Sequence, residues 1–333
     1  MRSITTTRER RTARQRARAA LLWSIGLLTV TATGLTADAT APTALAPFLN
    51  SLPVVSEHHY RMAGRIRPLL FWMGKDNVGG ASIVWRGDTA GERAYELLIG
   101  SDPKRAPRAV NRWGYIAERV GPSHATLLGV MKDSKEESLA DATANVDKEA
   151  HAGAYTYKAI QSTIGRDRAE ATIATIRVET DFTYHDAAPL LRLVQATTPG
   201  LAAKSAVVTV GTRPGFLVAV AEVVHGTVLA RQNANRGSSP AAPRTVPYIY
   251  NGKMYDLLLQ GSTFSRAFEM AGRTYTDVIR SEFEVRNRAT GKQTYFELVY
   301  GTDGNLAEIP IRIKYRPKWW IETELDLDDA ESF

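Results

Sequence analysis

The side chains able to do chemistry are scattered along this chain rather than grouped. The six histidines, His58, His59, His124, His151, His185 and His225, fall in no metal-ligand spacing such as H-E-x-x-H. His58 and His59 are consecutive, so on a strand they face opposite ways. Glu222 and His225 share a helical face, where hydrogen bonding to a neighbour is the simpler role for the imidazole. Ser101-Asp102-Pro103-Lys104 matches S-x-x-K, the serine–lysine pair of penicillin-recognising enzymes. That chemistry needs the serine at a helix start with the lysine one turn on. Pro103, Pro107 and a preceding strand predict a turn instead, and no S-D-N or K-T-G follows. There is no G-x-S-x-G, no Walker A and no G-x-G-x-x-G. No catalytic residue or metal ligand is assigned, and no cofactor is expected.

The residues best suited to touch a ligand are aromatic. Trp319 and Trp320 are adjacent, so on a strand one points inward and the other outward. An outward tryptophan beside Lys314, Arg316 and Lys318 suits a lipid headgroup or a glycan. The plainer role is a Trp320 ring covered by Arg316 across a hairpin. Tyr248 and Tyr255 flank an Asn251-Gly252 turn, which pairs them on one face. The acidic run 322–331 resembles a calcium site only in composition. Strand alternation accounts for Glu322, Glu324, Asp326 and Asp328, and the run lacks the glycine-turned loop of a calcium site.

The N-terminus supplies an address. Seven arginines between Arg2 and Arg18 precede an apolar run from Ala19 to Val30 and the small-residue stretch Thr36-Ala37-Asp38-Ala39. These are the three parts of a secretory signal peptide, read here as residues 1–39 with cleavage after Ala39. The alternative is an uncleaved anchor. An unassisted span needs ~20 predominantly apolar residues, whereas Ser24, Gly26, Thr29, Thr31 and Thr33 interrupt this run. The mature chain is therefore expected to carry no transmembrane span. The whole chain carries 42 basic and 35 acidic residues. Residues 1–41 hold seven arginines and two acids, which leaves 35 and 33 and a net charge of +2. That balance gives no basic face for nucleic acid.

Cysteine is absent, which excludes disulfides, thiolate metal sites and a lipid-modified N-terminal Cys. An exported chain of this kind must be stable through its own core, and the bacterial periplasm is the expected location.

Along the mature chain, 40–59 reads as a leader and 60–231 as a β-rich region with helices. Residues 232–245 are a polar Gly/Ser/Pro-rich loop or linker, and 246–329 a second antiparallel β region. Strands are predicted over 60–66, 81–85, 94–99, 114–120, 125–130, 155–164 and 169–178. Helices are predicted from Asp133 toward Ala150, over 187–195 and over 215–231, the last with apolar residues on most of one face. The fold class is mainly β with α additions: a curved antiparallel sheet, an open or half barrel, packed by one or two helices. Whether the two β regions share one sheet is left open.

The terminal hairpin permits a register argument. Ile309, Ile311, Ile313 and Tyr315 form one face and Arg312, Lys314 and Arg316 the other. The next strand sets Ile321, Thr323, Leu325 and Leu327 against Glu322, Glu324, Asp326 and Asp328. Keeping opposite charges together requires an odd loop or a bulge. A three-residue connection would pair Lys314 with Glu322 and Arg312 with Glu324.

The stretch from about Val246 to Asp328 resembles bacterial exported proteins of family 3108 of the domains of unknown function. The resemblance rests on the Tyr-rich first hairpin, on Ala271-Gly272-Arg273-Thr274-Tyr275 before a long amphipathic strand, and on Leu306-Ala307-Glu308-Ile309-Pro310-Ile311-Arg312-Ile313. It implies a curved sheet in the cell envelope and carries over no catalytic residue. The expected function is non-enzymatic: binding of an apolar, lipid-like ligand or an envelope partner on the sheet. The alternatives are a hydrolase acting on envelope polymers and a structural or assembly module. Oligomeric state does not follow from the sequence.

Overall fold

Strand-length runs that alternate apolar and polar residues bury one face and solvate the other, so they demand a sheet that curls or is covered. The computed structural model describes residues 52–66, 73–88, 91–132, 148–149, 151–196, 203–234, 244–318 and 321–328. In it the sheet does both. The first strands are β1 (Val54–Ile66), β2 (Met73–Gly87), β3 (Arg93–Ser101), β4 (Trp113–Val120) and β5 (Ala125–Lys132). They are followed by β6 (Tyr155–Ile164), β7 (Arg168–Val178), helix α1 (Ala188–Ala196), β8 (Ala203–Val207) and helix α2 (Phe216–Ala234). The chain then runs through β9 (Thr245–Tyr250), β10 (Lys253–Met270), β11 (Arg273–Asn287), β12 (Gln293–Gly301), β13 (Pro310–Lys318) and β14 (Ile321–Leu327).

Among the described residues, the fourteen strands belong to one antiparallel sheet in the order β8-β7-β6-β5-β4-β3-β2-β1-β14-β13-β12-β11-β10-β9. The pairing of β1 with β14, through Tyr60–Leu327 and Met62–Leu325, joins the two β regions into that single sheet. β1 begins at Val54, inside the stretch read from sequence as a leader. Register shifts in β1, β10, β12 and β13 mark bulges, which bend strands and let a long sheet curl.

The two end strands meet. The backbone of Arg213, beyond β8, bonds Pro247 and Ile249 of β9 (2.7 and 3.0 Å). Ile249 is buried with Ala125, Ile164 and Ala169 of the opposite limb. The result is a barrel-like sheet that closes by overlap.

The helices divide the two faces between them. α1 lays Leu190, Leu191 and Val194 on the convex side against Trp113, Leu128 and Tyr157. α2 lies on the concave side, where Ala219, Val223 and Val228 meet Leu257, Phe283 and Leu298. Strand parity puts those three on the same face of the sheet as Glu118 of β4, which also touches α2. The sheet therefore wraps around the helix. Among the described residues no helix is long and apolar enough to cross a membrane.

The terminal hairpin keeps its charges together through a bulge, as parity requires, but the register differs from the three-residue-loop pairing. Lys314 faces Glu324 and Arg312 faces Asp326, because the chain is irregular between Tyr315 and Lys318 and Lys318 then pairs with Ile321. The bulge takes up the odd residue before the turn instead of within it. Of the helix expected from Asp133 toward Ala150, only 148 and 149 are described, and both are helical. The signal segment, most of the 232–245 loop, Trp319 and Trp320 lie outside the described residues.

Candidate functional site

The β9–β10 hairpin forms as its turn chemistry dictates. Asn251 and Gly252 both take positive φ (51° and 60°), which suits the twist of the flanking strands. Tyr248 then pairs with Tyr255 and Val246 with Leu257. The two tyrosine rings stack, with centroids 5.3 Å apart and planes 15° from parallel.

These rings belong to a larger aromatic constellation on the concave face, just beyond the N-terminus of α2. Phe216, the first residue of the helix, packs 5.8 Å from Tyr248 and 5.7 Å from Phe296 of β12. Phe296 stacks on Phe283 at 4.7 Å and neighbours Tyr315 across the β12–β13 ladder. The deeper row, Tyr248, Leu257, Phe283 and Leu298, is buried. The nearer row, Phe216, Tyr250, Tyr255 and Phe296, is only partly buried.

Tyr315 is 39% exposed, yet burial raises the pKa of its hydroxyl. Strand parity with Ile313 puts its ring on the concave face beside Phe296. The hydroxyl of Tyr248 is pushed up mainly by burial, and further by Tyr255, Glu118, Tyr250 and Tyr315. Those partners come from β10, β4, β9 and β13, so four separate strands converge on one bowl.

Glu118 anchors the floor. Its carboxylate accepts the backbone N–H groups of Leu217 and Val218 (3.0 and 2.9 Å), capping α2 from a distant strand. Burial raises its pKa from 4.5 to about 7, against the opposing pull of hydrogen bonds from Val218, Leu217 and Phe216. An acid in the otherwise apolar row Ile116, Glu118, Val120 is the sequence signal for this residue. Phe296 and Tyr315 were legible only as members of apolar strand faces.

Of the candidate contact residues, the structure brings Tyr248 and Tyr255 together in the bowl. Arg316 lies elsewhere: it is exposed, pairs along the sheet with Tyr295, and forms an ion pair with Glu322. By parity with Arg312 and Lys314 it sits on the convex face. Trp319 and Trp320 lie outside the described residues.

Other constellations resolve into structure. The Ser101 hydroxyl donates to the Val110 carbonyl (2.7 Å) and accepts the Arg112 N–H, so Ser101-Asp102-Pro103-Lys104 belongs to the β3–β4 connection. His225 Nδ1 lies 2.6 Å from Glu308 Oε1 on an exposed stretch of α2. The hydroxyls of Ser262, Ser281, Tyr300 and Thr227 bond one another in a chain from β10 to α2. The acids in and just after β14 are held by cations, Glu324 by Lys314 (3.2 Å) and Arg312 (3.1 Å), and Asp328 by Arg61 (2.9 Å). On the convex side Lys132, 1% exposed in its side chain, bonds Asp181 (2.5 Å) and Glu149 (3.2 Å).

No family model matches this chain, and no curated protein matches it. Among solved structures it is similar to a crystal structure described as a beta-barrel-like protein of a domain of unknown function, DUF1849, from Brucella abortus. The two are 6% identical, the likeness covers 82% of this chain and 95% of the other, and the TM-score is 0.34.

Proposed function

We propose that this protein is an exported envelope component that holds an apolar, lipid-like ligand without transforming it. The observation that carries this reading is the aromatic bowl at the N-terminal end of α2. Partly accessible rings on a concave face keep apolar surface in contact with water, at a cost of about 25 cal/mol per Å². An acyl or alkyl chain seated there removes that cost, and a concave, mostly apolar site is the usual form of a small-molecule pocket. Export rests on the basic, apolar and small-residue pattern of residues 1–39.

Native mass spectrometry of protein purified gently from its own envelope tests the reading. A reproducible extra mass of lipid size is expected, on a chain that begins after Ala39. A clean apo species of full length would contradict both halves.

A hydrolase reading draws on one observation, the Glu308–His225 pair, which has the orienting carboxylate and imidazole of a base dyad. Substitution of His225 by Ala would abolish such an activity and leave ligand retention intact.

A further inference from the structure

The start of α2 is at once a wall of the bowl and the cover of a buried carboxyl. Phe216 supplies the wall, packed against Tyr248 and Phe296. Gly215 is the cover, and a Cβ there would stand 2.2 Å from Oε2 of Glu118, which is 1% exposed. Among the described residues no cation meets this carboxyl. Tyr95 stands opposite it on β3 and Leu127 on β5. Tyr248 and Tyr250 approach from β9, and the carboxylate helps to raise the pKa of both hydroxyls. Arg119, next along β4, lies on the other face and holds Glu92 (3.0 Å). The first turn of α2 carries no acid, and Glu222 further along is held by Arg213 (2.7 Å).

We propose that the first turn of α2 is a proton-operated latch: it closes over Glu118 while that carboxyl is protonated, and ionisation lifts the turn, with Phe216, and opens the bowl. A carboxylate sealed from water without a cation is strongly disfavoured, and uncovering it is the smallest movement that restores its hydration. The cover is a single helical turn entered through a glycine, so it can move while the rest of α2 stays packed on the sheet. Covered, the carboxyl has a pKa of about 7, because burial outweighs its hydrogen bonds; uncovered, it returns to the ordinary 4.5. The closed form thus holds the proton more tightly, and opening grows as pH rises from 4.5 to about 7. For the lipid-like ligand proposed above, on which this last step rests, acid is the holding condition and neutral to alkaline pH the releasing one.

Hydrogen–deuterium exchange of the purified protein at pH 5.5 and 8, read by mass spectrometry and corrected for intrinsic exchange, tests the latch without a ligand. Opening of the segment carrying the Leu217, Val218 and Ala219 amides is expected to rise on the order of tenfold or more. The far half of α2 (224–234) and β5 should not change. Glu118→Gln keeps the shape but cannot ionise, and its first turn should open equally at both pH values. No rise in the wild-type protein, or an equal rise in all three segments, would overturn the latch, and neither outcome depends on the variant folding. A second arm follows release of a neutral fluorescent alkyl chain, N-dodecyl dansylamide, into excess dodecanol. Release should quicken by the same factor as the opening. An unchanged release rate beside a pH-dependent first turn would overturn its control of the bowl. A probe that never binds would refute the lipid reading, and the exchange result would still decide the latch.

Discussion

A Cβ on Gly215 would stand 2.2 Å from the Cδ of Glu118, so the chain entering α2 passes directly over a buried carboxylate. Only glycine permits that approach, and only that approach lets both carboxylate oxygens reach the first free amides of the helix. Gly215→Ala should therefore cost about 1–3 kcal/mol, because either the helix start or the carboxylate must shift. Gly261, on β10, has no atom within 4 Å of its Cβ position, so Gly261→Ala should be neutral or mildly stabilising. Urea denaturation of the two variants checks the contrast. Equal midpoints would refute the close approach.

The same carboxylate makes stability depend on pH. In the unfolded chain Glu118 ionises near 4.5, and in the fold only near 7. Between those values the folded state binds more protons, so stability falls as pH rises through the window, by on the order of 3 kcal/mol in all. Glu118→Gln lacks this dependence. The difference in unfolding free energy between wild type and E118Q should slope from pH 4.5 to about 7 and level off outside it. A flat difference across that range would mean that the group is not buried as described.

Lys132 sits between Asp181 and Glu149 with almost none of its side chain exposed. Lys132→Ala leaves Asp181 without its cation and Glu149 with only the more distant Arg112 (3.8 Å), and should cost about 2–3 kcal/mol, whereas a surface lysine substitution costs little. Chemical denaturation distinguishes the two scales.

The observed register assigns Lys314 to Glu324 rather than to Glu322. A double-mutant cycle to alanine should give a coupling of about 0.5–2 kcal/mol for Lys314 with Glu324, and a much smaller one for Lys314 with Glu322. The reverse order would restore the three-residue loop.

Much of this fold could be read from local pattern. The Asn251-Gly252 turn dictated the Tyr248–Tyr255 pair, and the apolar face of 215–231 dictated a helix packed on the sheet. Helix α1 and most strands lie within a few residues of their expected positions. β8 escaped notice because Ala203-Lys204-Ser205-Ala206-Val207 has neither strong β-branched content nor clear alternation. The bulge at Tyr315 to Lys318 was implied by charge parity, but parity alone does not say where the extra residue goes.

The site was legible only in part, because it is a product of closure. Glu118, Phe216, Phe296 and Tyr315 come from four elements whose meeting depends on how far the sheet curls, and no local spacing encodes that. The Tyr248–Tyr255 pair was expected because a two-residue turn couples them. Arg316 was expected beside Trp319 and Trp320 at the terminal hairpin, and alternation places it on the face opposite to the tyrosines.

On the function proposed above, an apolar chain occupies the bowl beside the N-terminus of α2. A photoreactive diazirine analogue of dodecanol, cross-linked to the protein and mapped by peptide mass spectrometry, tests it most directly. Adducts are expected on Phe216, Tyr255, Phe296 and Tyr315, displaced by excess unlabelled dodecanol. Adducts confined to the convex face, or none that dodecanol displaces, would contradict it.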